Sequence, residues 1–192
     1  MELKESFSIA APPDEVWPLM SDPAVVAACI PGAEVSERLP DGAHRGKVTF
    51  TFGPTVAVFR GEARFTYDHP AKRCLIDARG LDQRGASRAR ARFAVQASGG
   101  ETTDVDLEGT FEIAGPLETF ASAGGVHVAR ALMKDFAANI ANVIEQRRAN
   151  GNDAVIEDAP AASGAKIIGR ALIDGARDVI GKVSGKGDKE GQ

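Results

Sequence analysis

Residues 117–148 read LETFASAGGVHVARALMKDFAANIANVIEQRR, and the period of this stretch decides the fold. Val128, Leu132, Phe136 and Ile140 recur every four residues, and Val143 and Ile144 close the stripe. That spacing lines one face of an α-helix. Gly115-Pro116 opens it, where a proline disturbs a helix least. Asn150-Gly151 follows its end, where such residues commonly stop helices. Gly124-Gly125 falls in the first turns and predicts a loosened or bent start. About 30 residues at 1.5 Å each span roughly 45 Å. Such a helix needs a large apolar partner, and the chain before it reads as sheet.

Residues 2–10 alternate, with Leu3, Phe7 and Ile9 on one face, which predicts a first strand. Pro12-Pro13-Asp14-Glu15 opens a short helix to about Met20, with Pro18 removing one of its hydrogen bonds. Ser21-Asp22-Pro23 caps a second short helix through about Cys29, and Ile30-Pro31-Gly32 ends it. Six strands follow, at 33–39, 44–52, 56–68, 72–80, 86–97 and 102–114. Turn chemistry separates them at Pro40-Asp41-Gly42, Gly53-Pro54, Asp68-His69-Pro70 and Ser98-Gly99-Gly100.

The hairpin 86–114 carries Arg88, Arg90 and Arg92 on one face of its first strand, and Asp104, Asp106, Glu108 and Glu112 on one face of its second. A loop over residues 98–100 sets Arg92 opposite Asp106 and Arg90 opposite Glu108, pairs that each contribute about 0.2–1 kcal/mol. These charges are expected on a solvated outer face. The opposite face is apolar. It carries Val48, Phe50 and Phe52, then Phe59, Gly61, Ala63, Phe65 and Tyr67, then Cys74, Ile76 and Ala78. Ala89, Ala91, Phe93 and Val95 face Val105, Leu107, Gly109, Phe111 and Ile113. Small residues cluster at its middle. Either the long helix packs closely there, or space is left for a ligand.

The net charge of −4 does not suggest bulk nucleic-acid binding. The two cysteines, Cys29 and Cys74, form no CxxC, and with no signal peptide they read as buried thiols in a reducing cytoplasm. No apolar run approaches the length of a membrane span. After Arg148 the composition turns to Ala, Asn, Asp, Gly, Pro and Ser, so 149–165 is expected to be a disordered linker. The tail 166–192 has Lys166, Arg170, Arg177, Lys182, Lys186 and Lys189 against Asp174, Asp178, Asp188 and Glu190. Within it Ile168, Leu172, Ile173, Val179, Ile180 and Val183 share one helical face, an expected membrane-binding stripe, with docking on a protein groove or on its own domain as alternatives.

Catalytic signatures are missing. There is no GxSxG, Walker A, GxGxxG or metal-ligand spacing. His69 falls in a turn, His44 near a strand start, and His127 off the helix stripe. No His, Asp or Glu is expected on the inner faces of strands 44–114, which speaks against a general acid or base inside the sheet. No catalytic residue, metal or intrinsic cofactor is therefore assigned.

The order of a strand, two short helices, six antiparallel strands and a long helix resembles the α+β helix-grip, START-like (SRPBCC) superfamily, with a seven-stranded antiparallel sheet curved around the last helix. Asp22-Pro23, Cys29-Ile30-Pro31-Gly32-Ala33-Glu34, Gly53-Pro54 with Phe59-Arg60-Gly61-Glu62-Ala63, and Gly115-Pro116-Leu117 are similar to the CoxG family of carbon monoxide dehydrogenase subunits. The resemblance covers about residues 1–148. It implies a protein that accompanies a molybdenum hydroxylase such as carbon monoxide dehydrogenase, recruits it to the membrane, and holds a quinone, menaquinone or ubiquinone, in the grip cavity.

Together these readings predict a non-catalytic lipophile carrier in residues 1–148, cytoplasmic and peripheral on the inner face of the cell membrane. Its cavity is expected to be lined by Trp17, Met20 and Ile30 from the short helices and by Phe50, Phe52, Phe59, Phe65, Tyr67, Phe93 and Phe111 from the sheet. Phe120, Val128 and Leu132 are expected to complete it from the long helix. Tyr67 offers a hydroxyl for a quinone carbonyl. The mouth is expected among Ile30-Pro31-Gly32, Phe52-Gly53-Pro54 and 117–125. The alternative is a ligand-free adaptor or maturation factor that tethers the dehydrogenase; an enzyme of cyclase type lacks the polar constellation it needs.

Overall fold

The computed structural model describes residues 1–52 and 55–150. The tail 166–192 and the expected linker, beyond the two residues that end the last helix, lie outside them. β1 (Glu2–Ile9) leads into α1 (Pro13–Met20) and α2 (Pro23–Cys29). Then come β2 (Ala33–Arg38), β3 (His44–Phe52), β4 (Thr55–Asp68), β5 (Arg73–Asp82), β6 (Arg88–Gly99) and β7 (Thr103–Ala114), and last α3 (Glu118–Asn150). The strands form one seven-stranded sheet in the order β1-β7-β6-β5-β4-β3-β2. Every neighbouring pair is antiparallel. β2 through β7 lie side by side in reverse chain order, while α1 and α2 carry the chain from one edge of the sheet to the other.

The capping residues act as their types dictate. The Asp22 carboxylate accepts from the Ala24 amide at 2.9 Å, and Pro23 takes the first helical position of α2. Pro13 opens α1, and the Pro18 ring is accommodated inside it. Gly115 turns at φ +98, and the amide of Leu117 donates to the Ser87 hydroxyl at 3.1 Å, which pins the start of α3 to the β5–β6 loop.

α3 has two roles along its length. In its second half Phe136, Ile140, Val143 and Ile144 are buried in a core shared with Leu3, Ile9, Val16, Leu19 and Val25. Phe7 meets Phe136 edge-on, with ring centroids 6.0 Å apart. Arg148 pairs with Glu15 of α1 at 2.8 Å, and the Asn139 amide donates to the Cys29 carbonyl at 2.9 Å. The first half of α3 faces the middle of the sheet, where that core gives way.

The hairpin of β6 and β7 differs from the sequence expectation: its turn lies two residues later, so each cross-strand partner moves by four. Arg92 lies opposite Thr110 and Arg90 opposite Glu112, and the turn covers 100–102. Gly99 ends β6 at φ +125, a backbone that favours glycine, so the strand runs through it before turning. A shift of four, an even number, keeps every side chain on its expected face. The charges simply change partners. Arg92 pairs with Asp77 of β5 at 3.1 Å, while Asp104 and Asp106 accept from Ser8 and Ser6 of β1 at 2.6 and 2.5 Å.

Candidate functional site

Register explains why the sheet leaves space. One row across it runs Phe111, Ala91, Ala78, Ala63, His44; the next runs Ile113, Ala89, Gly80, Gly61, Gly46. Strands are about 4.8 Å apart, so the alanines and glycines of these rows, on β3 to β6, form a belt of small side chains roughly 14 Å wide. Gly61 is obligatory: a Cβ there would run into the Arg79 carbonyl of β5. Beside the belt stand larger residues, Phe93, Ile76 and Phe65 in one row and Leu107, Val95, Cys74 and Tyr67 in the next.

The result is a cavity of about 470 Å³ between the sheet, the short helices and the first half of α3. Trp17, Met20, Val26 and Ile30 close one side, and Gly125, Val128, Ala129, Leu132 and Met133 form the helical wall. Its lining is overwhelmingly apolar, and its size falls within the range of small-molecule sites. A broader dip of about 760 Å³ lies on the outer face among Arg64, Leu75, Asp77, Arg92 and Glu108. It is open to solvent and its Arg92–Asp77 pair is already made, so the inner cavity is the better candidate despite its smaller volume.

Of the residues expected in the cavity, Trp17, Met20, Ile30, Phe50, Phe59, Phe65, Tyr67, Phe93, Phe111, Val128 and Leu132 line it. The side chains of Phe52 and Phe120 lie outside the described residues, as do Ile168, Leu172, Ile173, Val179, Ile180 and Val183 of the tail.

The expectation of an inner face free of His, Asp and Glu is corrected at two positions. His44 is the first residue of β3, in step with Gly46, Val48 and Phe50, and its side chain joins the cavity lining. Counting back by twos from Phe50 would have found it. Asp82 lies on the inner side because β5 runs two residues further than expected, and it is buried. Its carboxylate is occupied by the β5–β6 turn, accepting from the Arg84 amide at 3.2 Å.

An aromatic file follows β4. Phe65 and Tyr67 stack with centroids 6.1 Å apart and planes 12° apart, and Tyr67 stacks in turn with His69 at 5.6 Å. Trp17 meets Tyr67 edge-on at 6.3 Å and donates from Nε1 to Nδ1 of His69 at 3.1 Å. Burial, and then the charges of Cys74 and Asp22, push the Tyr67 hydroxyl above its ordinary 10.0. It is therefore a neutral donor near pH 7. Burial likewise raises the Cys29 and Cys74 thiols to about 11, so neither is an activated nucleophile. Among the described residues no three His, Cys, Asp or Glu gather to hold a metal, and no helix is long and apolar enough to cross a membrane.

A seven-stranded antiparallel sheet wrapped on a long C-terminal helix, with an apolar cavity between them, defines a helix-grip, START-like protein. Solved structures share this fold. A conserved protein from Geobacillus kaustophilus is similar over 77% of this chain and 97% of its own, with a TM-score of 0.68 at 16% identity. A START superfamily protein from Mycobacterium smegmatis is similar over 76% and 97%, with a TM-score of 0.52 at 14% identity. A di-domain aromatase/cyclase of the steffimycin biosynthetic pathway is similar over 76% of this chain and 47% of its own, with a TM-score of 0.50 at 20% identity. Among curated proteins none matches in sequence. The CoxG family, described as a subunit of carbon monoxide dehydrogenase, matches residues 6–145, and the chain belongs to that family.

Proposed function

We propose that the chain is a non-catalytic carrier of a lipophilic, quinone-like molecule that serves a molybdenum-containing dehydrogenase of the carbon monoxide dehydrogenase type at the membrane surface. The observation that carries this reading is the apolar cavity of about 470 Å³ at the centre of the domain. Native cores are packed to crystal-like density. A void this large, kept open by a belt of alanine and glycine, has its simplest explanation in a guest. Phenylalanine rings at 59, 65, 93 and 111 offer stacking surface to a flat ring, and the aliphatic wall of α3 suits an isoprenoid chain. The family's description as a dehydrogenase subunit supports the choice of partner.

A ligand-free adaptor accounts for the family but not for the void. An enzyme of cyclase type shares the fold, yet Tyr67 stays protonated and Asp82 is held by its turn, so His44 is left as a single imidazole at the cavity without either of them to act as its partner base or acid. Membrane association rests on the tail stripe from Ile168 to Val183 and is part of the same proposal.

The test is native mass spectrometry of gently purified full-length protein, with hexane extraction and an ultraviolet spectrum of the extract. A bound species with quinone absorbance is expected. Protein that is repeatedly empty, and that also fails to take up added menaquinone or ubiquinone, would overturn the carrier reading in favour of the adaptor.

A further inference from the structure

His44 stands where the alanine row ends. The register carries Phe111, Ala91, Ala78 and Ala63 across the sheet to this one imidazole. Its ring meets Phe65 at a centroid distance of 5.6 Å and an interplanar angle of 65°. Phe65 in turn stacks on Tyr67 at 6.1 Å. His44 and Tyr67 are thus neighbours of the same phenylalanine, one reaching it from β3 and the other following it on β4. Nδ1 of His44 is buried and has no hydrogen-bond partner among the described residues. A polar ring in an apolar wall, with one nitrogen unsatisfied, destabilises the fold relative to an apolar ring of the same size. Its contact with Phe65 could be made by an apolar ring as well, so the use of the imidazole is to be sought in the cavity.

We infer that His44 and Tyr67 form a two-point clamp for the oxygens of a flat 1,4-dicarbonyl ring, with Phe65 as the stacking surface between them. The clamp rests on the carrier reading and specifies how that site recognises its guest. Buried N–H groups without acceptors are rarer in folded proteins than under-satisfied acceptors, so the unpartnered Nδ1 favours the tautomer that carries its proton on Nε2. Nε2–H then donates to one ring oxygen. The Tyr67 hydroxyl, kept protonated by burial, donates to the other. The two oxygens of a 1,4-dicarbonyl ring point in opposite directions and need two separate donors, and the clamp assigns His44 to one and Tyr67 to the other. A fatty acid carboxylate would want a cation, and the inner positions of β3 to β7 carry no lysine or arginine.

Equilibrium dialysis of the full chain with two probes tests the clamp. 2-Methyl-1,4-naphthoquinone carries both oxygens; 2-methylnaphthalene has the same skeleton without them. His44→Phe is expected to weaken the quinone about 2–12-fold, the range of one lost hydrogen bond, and to leave the hydrocarbon within about twofold. Tyr67→Phe behaves alike. His44→Gln keeps a donor and retains more quinone affinity than His44→Phe. Thermal melting adds a second readout: His44→Phe is expected to raise the midpoint, since it removes an unsatisfied nitrogen. If His44→Phe moves both probes equally, or neither, while the quinone still binds, the clamp is wrong and the carrier reading stands. If wild-type protein binds neither probe, both fail together.

Discussion

Cys29 and Cys74 show what burial does to single side chains here. Burial raises both thiols from an ordinary 9.0 to about 11. An acid whose pKa is higher in the folded state holds its proton more tightly there. Its contribution is therefore complete below pH 9 and is lost as pH climbs toward 11. The urea midpoint is expected to stay level from pH 7 to 9 and then fall, with Tyr67 steepening the loss above pH 10. Cys29→Ala should make the fall shallower. Midpoints level up to pH 10.5 would mean that water reaches both thiols. At this scale the sequence was a good guide to aromatic and aliphatic lining residues, because strand alternation assigns them one by one. It misled at His44, whose polar type obscured an inner position that Val48 and Phe50 already implied, and at Asp82, where strand length rather than alternation was at issue.

The elements were legible from periodicity and turn chemistry, and their partners less so. Charges on β6 and β7 fit two registers four residues apart, and a surface ion pair is worth too little to choose between them. The backbone of Gly99 chose, and no charge pattern reports that. A double-mutant cycle follows from this register. Arg92→Ala and Asp77→Ala are expected to couple by about 0.2–1 kcal/mol in chemical denaturation. Arg92 and Asp106 are expected to couple by nothing measurable, and the reverse result would restore the other register. α3 makes a second case. A Cβ at Gly124 meets nothing within 4 Å, whereas one at Gly125 sits 3.1 Å from the Phe111 ring and 3.6 Å from Met1 Sδ. Gly124→Ala should gain the helix-propensity difference of about 0.8–1 kcal/mol. Gly125→Ala should gain less in a thermal melt and weaken quinone uptake, because the helix must lift from a ring that lines the cavity. Equal gains with unchanged uptake would show that the glycines do not set the spacing of helix and sheet.

At the scale of the molecule, the second half of α3 holds a packed core while the first half faces a void, so stability and binding reside in different places. The core residues Ile140, Val143 and Ile144 and the Arg148–Glu15 pair all precede residue 151. Among the described residues that core is closed by side chains that all lie within 1–150. A chain ending at residue 150 is therefore expected to melt within about 2 °C of full-length protein and to bind the same quinone with the same affinity. Its behaviour on membranes should differ. The apolar stripe of 166–183 offers six aliphatic side chains, each worth about 1 kcal/mol when partly buried, before the ordering of a segment containing Gly169, Gly175 and Gly181 is subtracted. The balance is weak, reversible attachment, strengthened by anionic lipid through the lysines and arginines around the stripe. In a flotation assay with vesicles containing phosphatidylglycerol, full-length protein should float in part, less at high salt, and the shortened chain should stay at the bottom. Leu172→Asp with Ile180→Asp should abolish flotation without touching quinone affinity. If the shortened chain floats as well as the full one, the domain itself meets the membrane, and the cavity mouth rather than the tail becomes the surface to mutate.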